Sequence, residues 1–241
     1  MTTSFIPDAN LPSLNNVYLN LKEKMKLYPN LVKITDIGTS TQYRNIKSVE
    51  ITNNINLLEI GKPSVRYIAN MHGDEVVGLY LMHNFINYLT SQNDTFVNTL
   101  LDCLKFIIVP TMNPDAYYET YKYNNTHKQR NNLNNYDLNR NFPDRVITTV
   151  FPVQPETIAI MKWMNNSDVV LSANIHGGDV VVNYPFDGNM ESTTIYTGTK
   201  DDDVFRHISL TYAKYNPRMG NNHSCYQNEK GFKYGITNGA A

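Results

Sequence analysis

Two histidines and one glutamate lie at points where apolar runs end. His72 and Glu75 stand three positions apart in MHGDEVVG, directly after VRYIAN, and His176 follows VVLSANI. Ligands of open α/β sheets bind at the carboxyl ends of the strands, so these three side chains are expected to converge. Two imidazoles and one carboxylate are a common ligand set for catalytic zinc, with a fourth position left for water. The pattern predicts one zinc ion held by these three residues.

Each of the two motifs is a weak signal when it is taken alone. A single histidine at a strand end is more often a surface or capping residue, and short motifs recur by chance. The adjacent glycines, Gly73, Gly177 and Gly178, would let the backbone approach a metal closely. A ligand histidine also needs an acceptor for its second ring nitrogen, and Asp137 is the candidate acceptor for His72. The alternative for Asp137 is a loop aspartate that closes a local turn.

Strands and helices in alternation must position these groups. Apolar–polar alternation predicts half-buried strands in LVKITDIG and KSVEITNN. Nearly continuous apolar runs predict buried strands in SVRYIAN, KFIIVP and DVVLSANIHG. Helical patterns cover residues 13–30, 75–91, 154–166 and 201–217, and the first, third and fourth carry signals of a helix end. This order predicts an α/β fold with a mixed, largely parallel central sheet and helices on both faces.

The size of the chain fits one globular domain. Its 241 residues are 41% hydrophobic, which suffices for one sizeable core, and a single domain over residues 1–241 is predicted. The segment 113–145 is polar and rich in asparagine, which favours a long loop without helices or strands that is either functional or disordered. Cys103 lies in an apolar stretch and is predicted to be a buried free thiol.

The charge and the apolar runs narrow the range of partners. A net charge of −1 favours neither nucleic acid nor an anionic membrane. No apolar run reaches the length of a membrane span. The N-terminal stretch MTTSFIPDANLPSL lacks the charged-then-apolar pattern of an export signal.

The order of the motifs resembles that of the zinc metallocarboxypeptidases. HGDE, PTMNPDAYY, YDLNRNFPD, SANIHGG, VVNYPFD and GITNGA occur in the order in which this family carries them. The resemblance is strongest to the regulatory branch that includes carboxypeptidases D, E, M, N and Z, and it covers about the last three quarters of the chain. It implies a zinc-dependent peptidase that acts on the C-termini of peptides or proteins.

The resemblance implies a role for each matching position near the metal. His72, Glu75 and His176 match the three zinc ligands, so one Zn²⁺ ion is expected. Asp137 matches the aspartate that orients the first zinc histidine.

Four further positions match residues that bind or polarise the substrate. Asn139 and Arg140 match the pair that holds the terminal carboxylate, which a planar guanidinium can bind with two parallel hydrogen bonds. Arg130 lies ten positions before Arg140 and matches the arginine that polarises the scissile carbonyl. Asp187 matches the acid at the base of the specificity pocket and, if buried there, would favour a terminal Lys or Arg. Taken singly, each is better explained as a solvated arginine or a turn aspartate; the shared order of motifs reverses that interpretation.

The sequence also departs from the family pattern. Family members continue past GITNGA to a Trp-Tyr pair and a general-base glutamate, and neither has a counterpart before Ala241. The resemblance therefore implies a C-terminally truncated domain that lacks its last strand and helix and is a poor catalyst. By the same resemblance the protein is expected in the secretory pathway or outside the cell.

Three functions compete at this point. The first is a zinc carboxypeptidase that removes C-terminal Lys or Arg. The second is an inactive relative that binds zinc and peptide C-termini without turnover. The third is a deacylase of the aspartoacylase type, which shares the His-x-x-Glu start; Arg130 and the NYPFD motif favour the peptidase.

Overall fold

The computed structural model describes residues 11–57, 61–91, 94–123, 129–146, 148, 151–166, 168–189, 195–219 and 233–238. The chain divides into two compact units, residues 1–142 with 150–177 and residues 143–149 with 178–241. A single domain over residues 1–241 stays a prediction. Within the described ranges, no helix has the length and apolar character of a membrane span.

A mixed five-stranded sheet forms the centre of the first unit. Its strands are β1 (Val32–Thr39), β2 (Asn45–Ile51), β3 (Ser64–Ala69), β4 (Lys105–Val109) and β5 (Leu171–Ile175), in the spatial order β1-β2-β4-β3-β5. The pairs β1/β2 and β2/β4 are antiparallel, whereas β4/β3 and β3/β5 are parallel. The predicted mixed sheet is therefore confirmed. The carboxyl ends of its three parallel strands share one edge.

Helices cover both faces of this sheet. They are α1 (Leu14–Leu27), α2 (Val76–Leu89), α3 (Thr95–Cys103), α4 (Pro114–Lys122) and α5 (Pro155–Asn165). Because side chains alternate along a strand, β3 contributes to two cores. Val65 and Ala69 join the cluster that includes residues of α1 to α4, and Ile68 joins a second cluster with Ala159 and Ile160 of α5. The prediction of helices on both faces is confirmed.

Local signals explain where the first helix begins. The Ser13 hydroxyl accepts a hydrogen bond from the Asn16 amide at 3.1 Å, as expected of an N-cap. Leu14, Val17 and Leu21 then bury one face of α1.

Two predictions about segments between the strands were wrong. Part of the segment 113–145 is helical, since Asn113 caps α4 by accepting from the Ala116 amide and Pro114 occupies its first turn. Cys103 is exposed, not buried. It ends α3, whose buried residues are Val97 and Leu101, and two residues beyond Leu101 correspond to roughly 200° around the helix.

The strand before His176 is less buried than its apolar composition predicted. Leu171 is 37% exposed, and no residue of β5 is fully buried. The reason is that β5 comes last in the order of the described sheet and has a neighbouring strand on one side.

The second unit contains α6 (Asp202–Lys214), which confirms the predicted helix, and a two-stranded parallel sheet of β6 (Val182–Asn183) and β7 (Ile236–Thr237). The Asn238 side chain joins its loops by donating to Pro185 O at 2.7 Å and accepting from the Thr197 amide at 2.6 Å.

Candidate metal centre

Three side chains from two distant parts of the sequence meet at the carboxyl edge of the sheet. His72 follows β3, Glu75 precedes α2, and His176 follows β5. One ligand atom from each lies within 4.8 Å of the others, and the two imidazole centroids are 5.0 Å apart. The parallel pairing of β3 with β5 brings the two histidines together.

The Glu75 carboxylate lies between the two imidazole rings. Its Oε1 is 2.8 Å from His72 Nδ1 and its Oε2 is 3.0 Å from His176 Nδ1. The Gly177 amide also donates to Oε2 at 2.8 Å. Burial alone would raise the pKa of Glu75, but hydrogen bonds from His176, His72 and Gly177 together hold that pKa well below its usual value. Both oxygens of Glu75 therefore face a histidine Nδ1 atom at the edge of the sheet.

The second ring nitrogen of each histidine is also engaged. His72 is almost fully buried, and its Nε2 lies 3.0 Å from Asp137 Oδ1. Asp137 Oδ1 also accepts from the Asn139 amide at 2.8 Å, because Asp137 caps the short 3-10 helix Leu138–Arg140. Burial raises the pKa of Asp137, but the bonds from His72 and Asn139 outweigh it and the pKa is lowered. His176 Nε2 lies 3.1 Å from the amide of Asn174.

A guanidinium group stands beside this cluster. Arg130 Nη1 lies 3.2 Å from Glu75 Oε1, and its Nη2 lies 3.2 Å from Asp137 Oδ2. The side chain is 46% exposed, so the group is open to solvent on one side. The Arg130 carbonyl accepts from the Gly73 amide at 3.2 Å, which ties the arginine loop to the turn after β3.

Asn132 holds the loop that carries Arg130 and Asp137. Its buried side chain donates to Gln154 Oε1 at 2.9 Å and to Glu156 Oε2 at 3.1 Å, and accepts from the Tyr136 amide at 2.9 Å. The other oxygen of Glu156 accepts from the backbone amide and the hydroxyl of Thr41, in the β1–β2 turn. This buried network joins the loop to the start of α5 and to the first hairpin.

Two glycines next to the ligands lie close to neighbouring residues. A Cβ at Gly73 would overlap Ala116 and would lie 2.6 Å from the Gln129 carbonyl oxygen. A Cβ at Gly177 would lie 3.0 Å from Glu75 Cγ. Gly178 has a φ of +105°, which favours glycine for a conformational reason.

The other predicted residues are placed as follows. Asn139 and Arg140 are exposed and follow Asp137 in the 3-10 helix. Asp187 belongs to the second unit, where its exposed side chain accepts from Asn183 Nδ2 at 2.7 Å. This exposure differs from the buried pocket floor expected of a specificity acid.

Three residues near the site were not singled out from the sequence. Asn174 lies two positions before His176, and the strand period of two could have identified it. Asn70 has a φ of +53° and donates to the His72 carbonyl at 2.9 Å, so it shapes the turn after β3. Glu156 had the pattern of an ordinary first-turn acid, and only the tertiary fold shows that it is buried.

The residues present suit a zinc ion. Two imidazole nitrogens and a carboxylate that face a common point are a zinc donor set. Each imidazole also contacts a further polar side chain through its other nitrogen, as metal-binding histidines do.

The sequence matches a family model and curated proteins that are carboxypeptidases. The family model described as zinc carboxypeptidase matches residues 17–241. Carboxypeptidase D of Homo sapiens is 44% identical over 220 residues, which cover 89% of this chain and 16% of the human protein. Carboxypeptidase M of Mus musculus is 40% identical over 228 residues, which cover 91% of this chain and 51% of the mouse protein. The chain thus spans about half of one relative and much less of the other.

Solved structures share the fold. The carboxypeptidase A from Helicoverpa armigera superimposes with a TM-score of 0.73 at 21% identity, covering 94% of this chain and 57% of that chain. Thrombin activatable fibrinolysis inhibitor gives a TM-score of 0.74 at 18% identity, covering 95% and 59%. At these identities the likeness shows a common mixed α/β fold.

Proposed function

Since the chain belongs to the zinc carboxypeptidase family, we propose that it removes single C-terminal residues from peptides or proteins with one zinc ion held by His72, Glu75 and His176. The observation that carries this proposal is the convergence of these three side chains beside the guanidinium group of Arg130.

The chemistry of the proposed centre is divided between metal and protein. Zinc in such a set polarises a carbonyl group and lowers the pKa of a bound water. Glu75 supplies the anionic ligand, and Asp137 holds the His72 ring by its second nitrogen. The anionic ligand and the residue that orients His72 are both side chains of the first unit.

Arg130 is the proposed electrostatic partner of the reacting carbonyl. Its guanidinium faces the cluster but stays partly exposed, so a substrate oxygen can approach it. A hydrogen-bond donor placed where an oxyanion develops contributes about 3 kcal/mol in other enzymes.

Asn139 and Arg140 are the proposed clamp for the free C-terminal carboxylate. Both are exposed and lie in the 3-10 helix Leu138–Arg140, which is capped by Asp137, the residue that contacts His72. Because a guanidinium binds a carboxylate through two hydrogen bonds, such a clamp would restrict cleavage to the last peptide bond. A peptide with an amidated C-terminus should therefore resist the enzyme.

Asp187 is the proposed source of a preference for terminal Lys or Arg. An exposed ion pair contributes about 0.2–1 kcal/mol, so the preference for Arg over Leu should be modest, up to roughly fivefold in kcat/KM. Replacement of Asp187 by Asn should abolish it, while the matched variant Asp203→Asn in α6 should retain it. Equal rates for peptides ending in Arg and Leu in the unaltered protein would contradict this role.

The direct test uses zinc-loaded protein and peptides ending in Arg, Lys, Leu and amidated Arg, with products identified by mass spectrometry. We expect loss of one terminal residue from the free-carboxylate peptides and none from the amidated peptide. Internal cleavage would exclude a carboxypeptidase. Zinc and peptide binding without any product would favour the alternative, an inactive relative that binds C-termini.

The proposed compartment is the secretory pathway or the cell exterior. It rests on the resemblance of the chain to the regulatory branch that includes carboxypeptidases D, M and N. Recovery of the native protein from cytosolic fractions alone would contradict it.

A further inference from the structure

The second nitrogen of His176 has a polar neighbour whose role the proposed reaction does not include. His176 Nδ1 faces Glu75 Oε2 at 3.0 Å, and Nε2 faces the Asn174 amide at 3.1 Å. Asn174 and His176 belong to one segment, since Asn174 lies in β5 and His176 directly follows this strand. Asn174 itself is exposed, so its side chain is not required by the core.

The tautomer of His176 determines whether Asn174 must offer a hydrogen-bond donor or an acceptor. A neutral imidazole that binds metal through Nδ1 carries its proton on Nε2, and that N–H needs an acceptor. In the structure, Asn174 Nδ2 is the amide atom that lies next to His176 Nε2. Asn174 Nδ2 also lies 3.8 Å from the weak acceptor Met71 Sδ. A half-turn about Cβ–Cγ exchanges Nδ2 and Oδ1 with almost no change in shape.

We propose that Asn174 is a positioning residue that presents its carbonyl oxygen Oδ1 to the Nε2–H of His176 and so fixes the zinc-binding tautomer. This inference rests on the proposed zinc site. His72 meets the same requirement through Asp137 Oδ1, at 3.0 Å from its Nε2. The chain also uses the proposed pairing elsewhere, because Asn20 Oδ1 lies 3.2 Å from His83 Nε2.

Three variants test the proposal through zinc affinity measured by competition with a chromophoric chelator. Asn174→Leu removes the acceptor at similar size, and we expect the zinc Kd to rise about 10–100-fold. Asn174→Asp restores an acceptor, and we expect affinity equal to or tighter than that of the unaltered protein. Asn20→Leu is the matched control because it removes an asparagine–histidine contact away from the site, and it should leave the Kd unchanged.

A spectroscopic measurement separates an acceptor from a packing residue. ¹⁵N–¹H correlation spectra of the zinc-loaded protein should show His176 protonated at Nε2, with this signal altered in Asn174→Leu.

The outcomes distinguish this inference from the proposed function. A Kd for Asn174→Leu within twofold of the unaltered protein overturns the role of Asn174 while the zinc site stands. A weaker affinity for Asn174→Asp than for Asn174→Leu also overturns it. Absence of zinc binding by the unaltered protein overturns both proposals.

Discussion

Arg130 contacts two acidic side chains of the site. Its guanidinium lies 3.2 Å from one oxygen of Glu75 and 3.2 Å from one oxygen of Asp137, yet nearly half of the side chain is exposed. In this position the Arg130 guanidinium partly neutralises the carboxylates of Glu75 and Asp137. Its exposed part can still contact an anionic group of a bound substrate.

We predict that Arg130→Ala lowers kcat by about 10²–10³-fold, because a donor aimed at a developing oxyanion contributes that much in other enzymes. Zinc content should be retained, since Arg130 is not a proposed ligand. Steady-state kinetics on an arginine-terminated peptide measures the effect. Arg206→Ala in α6 is the matched control. An Arg130→Ala enzyme with unchanged kcat would show that the guanidinium does not act on the reacting carbonyl.

At the scale of elements, buried contacts between the first hairpin, the arginine loop and α5 hold the site loop. Glu156 is fully buried and accepts from Thr41 and from Asn132, which in turn closes the loop between Arg130 and Asp137. Glu156 thus restrains, through Asn132, the loop that carries Arg130 and Asp137, and these two residues contact the metal-binding cluster.

We predict that Glu156→Leu lowers the free energy of unfolding by about 3 kcal/mol, because it removes the acceptor of the half-buried Thr41 amide and hydroxyl and one of the acceptors of the buried Asn132 side chain. Glu23→Leu, on the exposed face of α1, should change it by less than about 0.5 kcal/mol. Urea unfolding of both variants makes the comparison. Equal stability of the two would mean that the network contributes nothing.

The turn between β3 and α2 is the second structural requirement of the site. We predict that Gly73→Ala costs about 1–3 kcal/mol and also weakens zinc binding, since its Cβ would overlap Ala116 and displace the turn that carries His72 and Glu75. Gly188→Ala is the control, because no atom lies within 4 Å of its added Cβ. Melting temperature and zinc Kd are measured together. If Gly73→Ala keeps both values, the close approach at this turn is not needed.

Elements with a clear period were predictable, and those defined by long-range contacts were not. Ser13 and the spacing of Leu14, Val17 and Leu21 identify α1 from local rules. Helix α4 was missed because its polar composition outweighed the signal of Asn113 and Pro114. The exposure of β5 depends on its place at the end of the strand order, which apolar composition does not encode.

For the whole molecule, the order of strands accounts for most of what the sequence predicted about the site. His72 and His176 are far apart in the chain, but β3 and β5 are parallel neighbours and end at one edge. The rule that ligands bind at strand ends predicted this meeting, and the order of the motifs strengthened the prediction. The strand period of two could have identified Asn174. The supporting contacts of Asn132 and Glu156 depend on side-chain directions and buried loops, and no periodic pattern encodes those.

The proposed function depends on one zinc site that the fold assembles from His72, Glu75 and His176. Metal analysis of purified protein after zinc loading and removal of free metal tests it most directly, with circular dichroism to verify folding. We predict one zinc ion per chain in the unaltered protein and in His207→Ala, whose exposed histidine lies in α6, but almost none in folded His176→Ala. Full zinc occupancy in His176→Ala would contradict the assignment.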